Sequence, residues 1–572
     1  MEPGGWLGWT GLPTIAWTWC CAGICISHST ATPLTGTFER PWSYLHVMRD
    51  CIDLAVHLES VPEACAVVNF SPVLLEQLDD YCAGLAAHFR SGAPLPDRVL
   101  ALLGPDGAGE DRRHWPMLAR ACLRAGQENQ VARLPAYRAL AERTAQRLQD
   151  GTIVEAATAD LTNLATWYHL AWLGESVRRG DPRVRPLLRR TGDFTAEERR
   201  TLLECIADVL SGLVPRYRRL AGNGQVELSV SPWGHPVLPL LFDFGTAREA
   251  DPGLELPAPE RYPGGADRAR WHLARALQVF HRSFGLRPRG CWPAEGALCN
   301  ESLALLDNFG FDWTASAGAV LSRSAGSFAD NGACCAWRRD GQRLVCFFRN
   351  DELSERVGFE YGRKNGETAA AELVMELERI AAAGDLQGRN VIPLVIDGLN
   401  AWESFHDNGF QFQRALYRRL AGHPRLRLST FARSLRRGVE VRPLESLVAG
   451  SWIDGRLDTW IGSPERNETW QLLCAAKTLF DQVVVEGALD EPAQSLAECQ
   501  LAVCEGSDWF WAMPESNPGE SALSFQRLFR RHLASLYRLL DEVPPEGLLP
   551  PALLPPQSVA APPAGSPAVV AG

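Results

Sequence analysis

The sequence predicts an α/β protein: a parallel sheet or barrel with helical insertions, followed by a mostly helical C-terminal region. Three observations predict it. Strand-like and helix-like stretches alternate from Gln225 to Asp397, the rhythm of repeated β–α units. Helical text from about 81 to 220 precedes that rhythm, and helical patterns dominate again from about 411. The 572 residues are 46% hydrophobic and 22% charged, a balance that supports a large buried core and excludes wholesale disorder.

Each element has a local reason. Residues 45–58 place apolar side chains at helical spacing, 64–70 form a short buried-strand run, and Pro72 opens the next helix. Thr195 and Glu198 make a capping box ahead of Leu202, Leu203 and Ile206. Residues 225–230 alternate like a strand and run into Ser231-Pro232. The stretches 271–284, 302–309 and 368–383 read as helices, and 312–315 and 344–348 as strands. A continuous apolar run, 391–396, stops at Asp397. Helical spacing returns at 469–479 and 524–540, and no internal repeat is evident. The Pro-, Ala- and Gly-rich tail, 544–572, lacks a core pattern and is expected to be disordered.

Net charge is −11, so no global basic field gathers nucleic acid or anionic lipid. Lys364 and Lys477 are the only lysines, whereas Trp numbers 19 against 9 Tyr. Flat apolar faces suit sugar rings as well as cores. The 16 Cys mostly sit in apolar runs, as Cys65, Cys205 and Cys346 do, and read as free buried thiols. No paired C-x-x-C spacing of a zinc site is present, and no metal is expected. The apolar run 13–26 precedes the first basic residue, Arg40, so it lacks a signal peptide's positive start. It is also shorter than the roughly 20 residues that span a bilayer. A reducing, cytoplasmic setting is the expectation.

Barrel enzymes place catalytic groups where strands end, because the loops there share one mouth. Two carboxylates hold such positions. Glu295 follows a strand end in Gly290-Cys291-Trp292-Pro293-Ala294-Glu295-Gly296, and Asp397 ends the run from Val391. A carboxylate pair facing one glycosidic bond can divide the work of nucleophile and general acid. The plain alternatives are a charge at a helix start for Glu295 and a turn carboxylate before Gly398 for Asp397.

Several words resemble glycoside hydrolase family 57, the retaining α-glucan-active enzymes, from about Leu34 to Glu515. Trp292 to Gly296 resembles the family's nucleophile motif. Asp397-Gly398-Leu399-Asn400-Ala401-Trp402-Glu403 resembles its acid/base motif. Glu227 to Pro232, with His235-Pro236, resembles the strand carrying a substrate-facing His. Glu505-Gly506-Ser507-Asp508-Trp509-Phe510-Trp511 resembles the last signature region. Ser451-Trp452-Ile453 and Thr459-Trp460-Ile461-Gly462 resemble a stretch of the amylase-like branch.

The resemblance implies an incomplete (β/α)7 barrel followed by a helical region. It implies Glu295 as nucleophile and Asp397 as general acid/base, with carboxyls roughly 5–5.5 Å apart. Asp397 must start protonated, so its pKa is expected to be raised by Glu295's charge and by burial. His235, Trp292, Trp402, Glu403, Asp508 and Trp509 are the candidate substrate-binding residues. For the tryptophans core packing is an alternative, for His235 a structural role, and for Glu403 a salt bridge. No cofactor is expected. The partner is an α-glucan or maltodextrin, with neither nucleic acid nor membrane.

Three departures stand against the family pattern. A first-strand His-x-His-Gln-Pro word is expected, but only Ser27-His28-Ser29-Thr30 precedes Pro33. Position 399 is Leu where the family has Glu, and Asn350 and Asp351 break its usual Arg-Asp-His order. The expected organisation is an anomalous leader over 1–33, from a wrong frame or start, with the true first strand lost. A barrel over 34–410 follows, with its helical insertion at about 81–220. A helical domain over 411–543 completes the site, and the tail is 544–572. The expected activity is α-amylase-like hydrolysis or 4-α-glucanotransfer. The alternative is an impaired homologue that only binds α-glucan.

Overall fold

Apolar runs punctuated by turn residues become strands because a parallel sheet covered on both faces needs buried side chains on each. The computed structural model describes residues 12–21, 38, 40–109, 111–124, 127–326, 332–384, 386, 388–399, 401–513 and 520–548. Among them ten strands form one sheet: β1 (Thr14–Cys21), β2 (Ala66–Phe70), β3 (Val226–Val230), β4 (Gly290–Cys291), β5 (Trp313–Ala317), β6 (Ala336–Arg339), β7 (Val345–Arg349), β8 (Val391–Asp397), β9 (Arg427–Ser429) and β10 (Val441–Leu444). Their order is β10-β6-β7-β5-β4-β3-β2-β1-β8, with β9 beside the start of β1. Every ladder is parallel except β6 on β7.

The ring closes between β7 and β8 without a ladder. Asn350 N donates to Pro393 O at 2.8 Å, and Val395 N donates to Ser354 Oγ at 3.3 Å. Pro393 is tolerated because β8 ends the hydrogen-bonded path, where a missing N–H costs no ladder bond. Inside the ring Trp313, Phe347 and Phe431 pack with Ala16, Val67 and Val395. Phe431 lies 4.5 Å from the Trp313 ring and 4.4 Å from that of Phe347. Trp313 fits only because residue 290 is glycine, whose missing Cβ leaves room for the indole.

The expected elements stand at their places, including the capping box of helix Ala196–Gly222, where Thr195 and Glu198 bond reciprocally. The insertion between β2 and β3 is helical, from Pro72–Ser91 to that helix. At the other end Pro464–Glu486, Glu491–Cys504 and Glu520–Leu539 pack on one another. No helix of the described residues is long and apolar enough to cross a membrane. Most thiols among the described residues are buried and free, as read for Cys65, Cys205 and Cys346.

Two expectations are corrected. The stave thought lost with the leader is β1, which lies inside residues 1–33. Its Ile15, Ala16 and Trp17 are buried, and its register runs from Thr18 beside Val67 to Cys20 beside Asp397. An eight-residue run rich in β-branched and aromatic side chains suits a strand buried on both faces. Residues 1–11 and 22–33 lie outside the described residues. The sheet also extends past 410. β9 and β10 fall in the segment assigned to the helical domain, three and four residues long and too short to register as periodicity. The tail from 549 lies outside the described residues.

Candidate active site

The C-terminal ends of β3, β4, β7 and β8 open into a cavity of about 580 Å³. Residues of the post-β10 segment and of the last signature region complete its wall, notably Trp452, Asp454, Asp508 and Trp511. Glu295 and Asp397, 102 positions apart in sequence, both line it, as do His235, Trp292 and Asp508. A hollow of about 640 Å³ beside Glu59 and Arg216 lies near the start of β3, away from the C-terminal strand ends, and contains none of these residues.

Glu295 is tightly held. Ser507 Oγ donates to its Oε1 at 2.7 Å, and Trp452 Nε1 donates to its Oε2 at 3.0 Å. Its carbonyl accepts from Trp452 N at 2.9 Å, which ties the post-β10 segment to the end of β4. His235 Nδ1 lies 3.0 Å from Ser507 Oγ and 3.7 Å from Glu295 Oε1. Since Ser507 gives its one hydrogen to Glu295, its oxygen accepts from His235 Nδ1–H, leaving Nε2 as a lone pair. That Nε2 is buried without a hydrogen-bond partner, and burial holds the ring neutral with a pKa of about 3.

The backbone is strained here. His235 (φ 55°), Glu295 (φ 58°) and Asp454 (φ 52°) all occupy the left-handed region, and all three line the cavity. Such a conformation costs about 1–3 kcal/mol per residue and persists where surrounding contacts over-determine it. The two hydrogen bonds on Glu295 and that between Ser507 and His235 are such contacts.

An upward pKa push acts on Glu295. Burial lifts its carboxyl to about 8; the Ser507 bond pulls down, Asp508's charge pushes up, Trp452 pulls down and Asp397's charge adds a further push. Asp397 accepts from Leu399 N at 2.9 Å. His235, Glu295 and Asp508 each offer a ligand atom within 4.8 Å of the others. This is the one such group of His, Cys, Asp or Glu among the described residues, and Ser507's hydrogen bonds account for the approach of two of its members.

Three candidates lie elsewhere. Trp402 is fully buried, with Phe405 at 5.3 Å and Phe412 at 6.1 Å, and belongs to the core behind the loop that follows β8. Glu403 faces the buried Arg49, whose Nη1 donates to it at 3.4 Å, so its salt-bridge alternative holds. Trp509 donates to Val503 O at 2.7 Å and packs on Phe529 and His532. Trp511 reaches the cavity instead, because residues two apart on a helix point about 200° apart. Trp292 lines the cavity from within the core, 1% exposed, edge-on to Trp452 at 5.8 Å.

The departures have structural roles. Leu399 is buried and its carbonyl accepts from Arg49 Nη2 at 3.0 Å. Asn350 caps the helix Asp351–Glu355 through Leu353 N at 2.9 Å. Asp351 accepts from Ala319 N at 2.7 Å and from Arg349 Nε at 2.7 Å. Sequence reasoning did not assign roles to Ser507, Trp452 or Arg349. The first two lie in words already singled out, but nothing local indicates that they reach Glu295.

The same architecture is found in solved structures. A family 57 branching enzyme of Thermococcus kodakaraensis is 15% identical with a TM-score of 0.55, covering 93% of this chain and 90% of its own. The α-amylase AmyC of Thermotoga maritima is 11% identical with a TM-score of 0.55, covering 93% of each chain. A family 57-type branching enzyme of Pyrococcus horikoshii is 15% identical with a TM-score of 0.52, covering 93% and 95%. No curated protein matches the sequence. The pattern of Glycosyl hydrolase family 57 matches residues 26–445, from the words before β2 to the end of β10. With that match over most of its length, the chain belongs to glycosyl hydrolase family 57.

Proposed function

We propose that the protein is a retaining α-glucan hydrolase or 4-α-glucanotransferase that works through a covalent glycosyl-enzyme. One observation carries this: Glu295 and Asp397, ending β4 and β8, share a single cavity, and Glu295 is fixed there by two donors. A Glu295 oxygen attacks the anomeric carbon as the bond to the leaving sugar breaks, and that sugar's oxygen takes the proton of Asp397. Asp397, now a carboxylate, removes a proton from water or a sugar hydroxyl, which attacks the same carbon and frees Glu295. His235 Nε2 is an acceptor for a sugar hydroxyl, Asp508 a second polar contact, and Trp511 and the rim of Trp452 supply flat faces. The buried free thiols among the described residues agree with a cytoplasmic setting.

The proposal predicts that Glu295→Gln abolishes release of reducing sugar from maltoheptaose while the melting curve stays cooperative. Near-normal turnover in that variant would overturn the assignment. A binding-only homologue is favoured by one observation: a nucleophile held at about 8 is mostly protonated at neutral pH. Maltoheptaose binding without turnover across the whole alkaline range would establish that reading.

A further inference from the structure

The acid/base wall of the cavity carries a feature that the carboxylate chemistry does not use. After β7 the chain forms the helix Asp351–Glu355 and then a π-type turn, Arg356–Glu360. π-turns are rare and recur at functional sites. In this one Val357 is fully buried and Phe359 is 77% exposed, and Tyr361, just beyond it, is fully buried. Phe359 is the one aromatic ring among the exposed large apolar side chains of the described residues, and it lines the mouth of the cavity with Gly358.

Its presentation is rigid. Ser354 ties the segment to β8 by accepting from Val395 N at 3.3 Å. Gly362 packs so closely on Ser404 that a Cβ would collide with it. Arg356 covers the Tyr361 ring at 5.5 Å. The turn is thereby anchored to β8 and to the loop after it, the elements that carry Asp397, while Glu295 stands on β4 with β5 between β4 and β7.

Position then fixes role. The acid protonates the leaving sugar, so the leaving group lies on the acid's side of the bond. By microscopic reversibility an incoming sugar acceptor binds where the leaving sugar was. We infer that Phe359 is the stacking platform of the acceptor subsite: its exposed ring receives an α-linked glucosyl unit of the incoming chain and so sets the balance of transfer over hydrolysis. This rests on the function proposed above and adds the residue that decides between its two outcomes.

The test uses the full chain with maltoheptaose as donor and maltose as added acceptor. Transfer product is read against hydrolysis product, normalised to glycosyl-enzyme formation from a maltosyl fluoride, whose leaving group occupies none of that subsite. Phe359→Ala should lower the transfer-to-hydrolysis ratio about tenfold (~1.4 kcal/mol of acceptor binding) and raise the acceptor KM. Phe359→Tyr should restore both and Phe359→Leu should not, since bulk without a flat face cannot stack. An unchanged ratio in Phe359→Ala, or full rescue by Leu, overturns the inference while leaving the nucleophile assignment intact. Should the wild type turn over nothing, the proposed function falls. The platform is then read by titrating maltose into Glu295→Gln with and without Phe359→Ala, and equal affinities overturn it.

Discussion

Removing the Ser507 hydroxyl isolates one contribution to the acidity of Glu295, the proposed nucleophile. Ser507 Oγ donates to Glu295 Oε1 at 2.7 Å, a bond that exists in full strength only for the carboxylate. A hydrogen bond to a charged group is worth about 1.5–3 kcal/mol, which is about one to two pH units in a titration midpoint. Burial already holds Glu295 at about 8, so Ser507→Ala should move it higher. Below the midpoint the ionised fraction falls tenfold per pH unit, so the variant should be about 10- to 100-fold slower at neutral pH and recover on the alkaline side. The assay is the rate of glycosyl-enzyme formation from an aryl α-maltoside with a strongly acidic phenol. Such a phenol departs without Asp397's proton, so the profile reports Glu295 alone. A Ser507→Ala profile with an unmoved or lowered midpoint would refute the reasoning.

Two further outcomes follow from the same geometry. Glu295's folded pKa lies above the ordinary 4.5, so the folded chain keeps a proton that the unfolded chain releases. Its contribution to stability is therefore fullest below 4.5 and is lost as pH rises to about 8. Glu295→Gln should flatten that decline, melting increasingly above the wild type from acid to mildly alkaline pH; parallel melting curves would contradict it. Glu403→Gln should change stability by no more than about 1 kcal/mol, its side chain being half-exposed, and leave the KM for maltoheptaose within about threefold. Arg49→Ala should cost about 3–5 kcal/mol, because it removes the guanidinium from the buried carboxylate of Asp50 and leaves it only His46, and chemical denaturation of both variants checks the contrast.

Much of the barrel was legible because its strands are continuous apolar runs and its helices keep a 3.6-residue period, both properties of short windows. The end of β8 could be found that way, and with it Asp397, whereas β4, two residues long, is marked only by the strand–helix rhythm and by the Trp292–Gly296 word that holds Glu295. β6, β9 and β10 could not, at three or four residues each. β1 is hidden for a different reason: Thr14–Cys21 has the composition of a buried parallel strand, but no histidine word of the family pattern marks it.

By itself the sequence determined which residues are chemically able to act and on which side of a strand end they fall. The tertiary structure decided which of them meet. Trp509 and Trp511 share one word and nearly one composition, but helical geometry points one into the core and the other into the cavity. Trp402 and Glu403 share the word that begins with Asp397, yet packing against Phe412 and pairing with Arg49 turn both away. Ser507 and Trp452 reach Glu295 across more than 150 residues. Periodicity records which face a segment buries, whereas the pairing of distant faces is settled only when the whole chain packs.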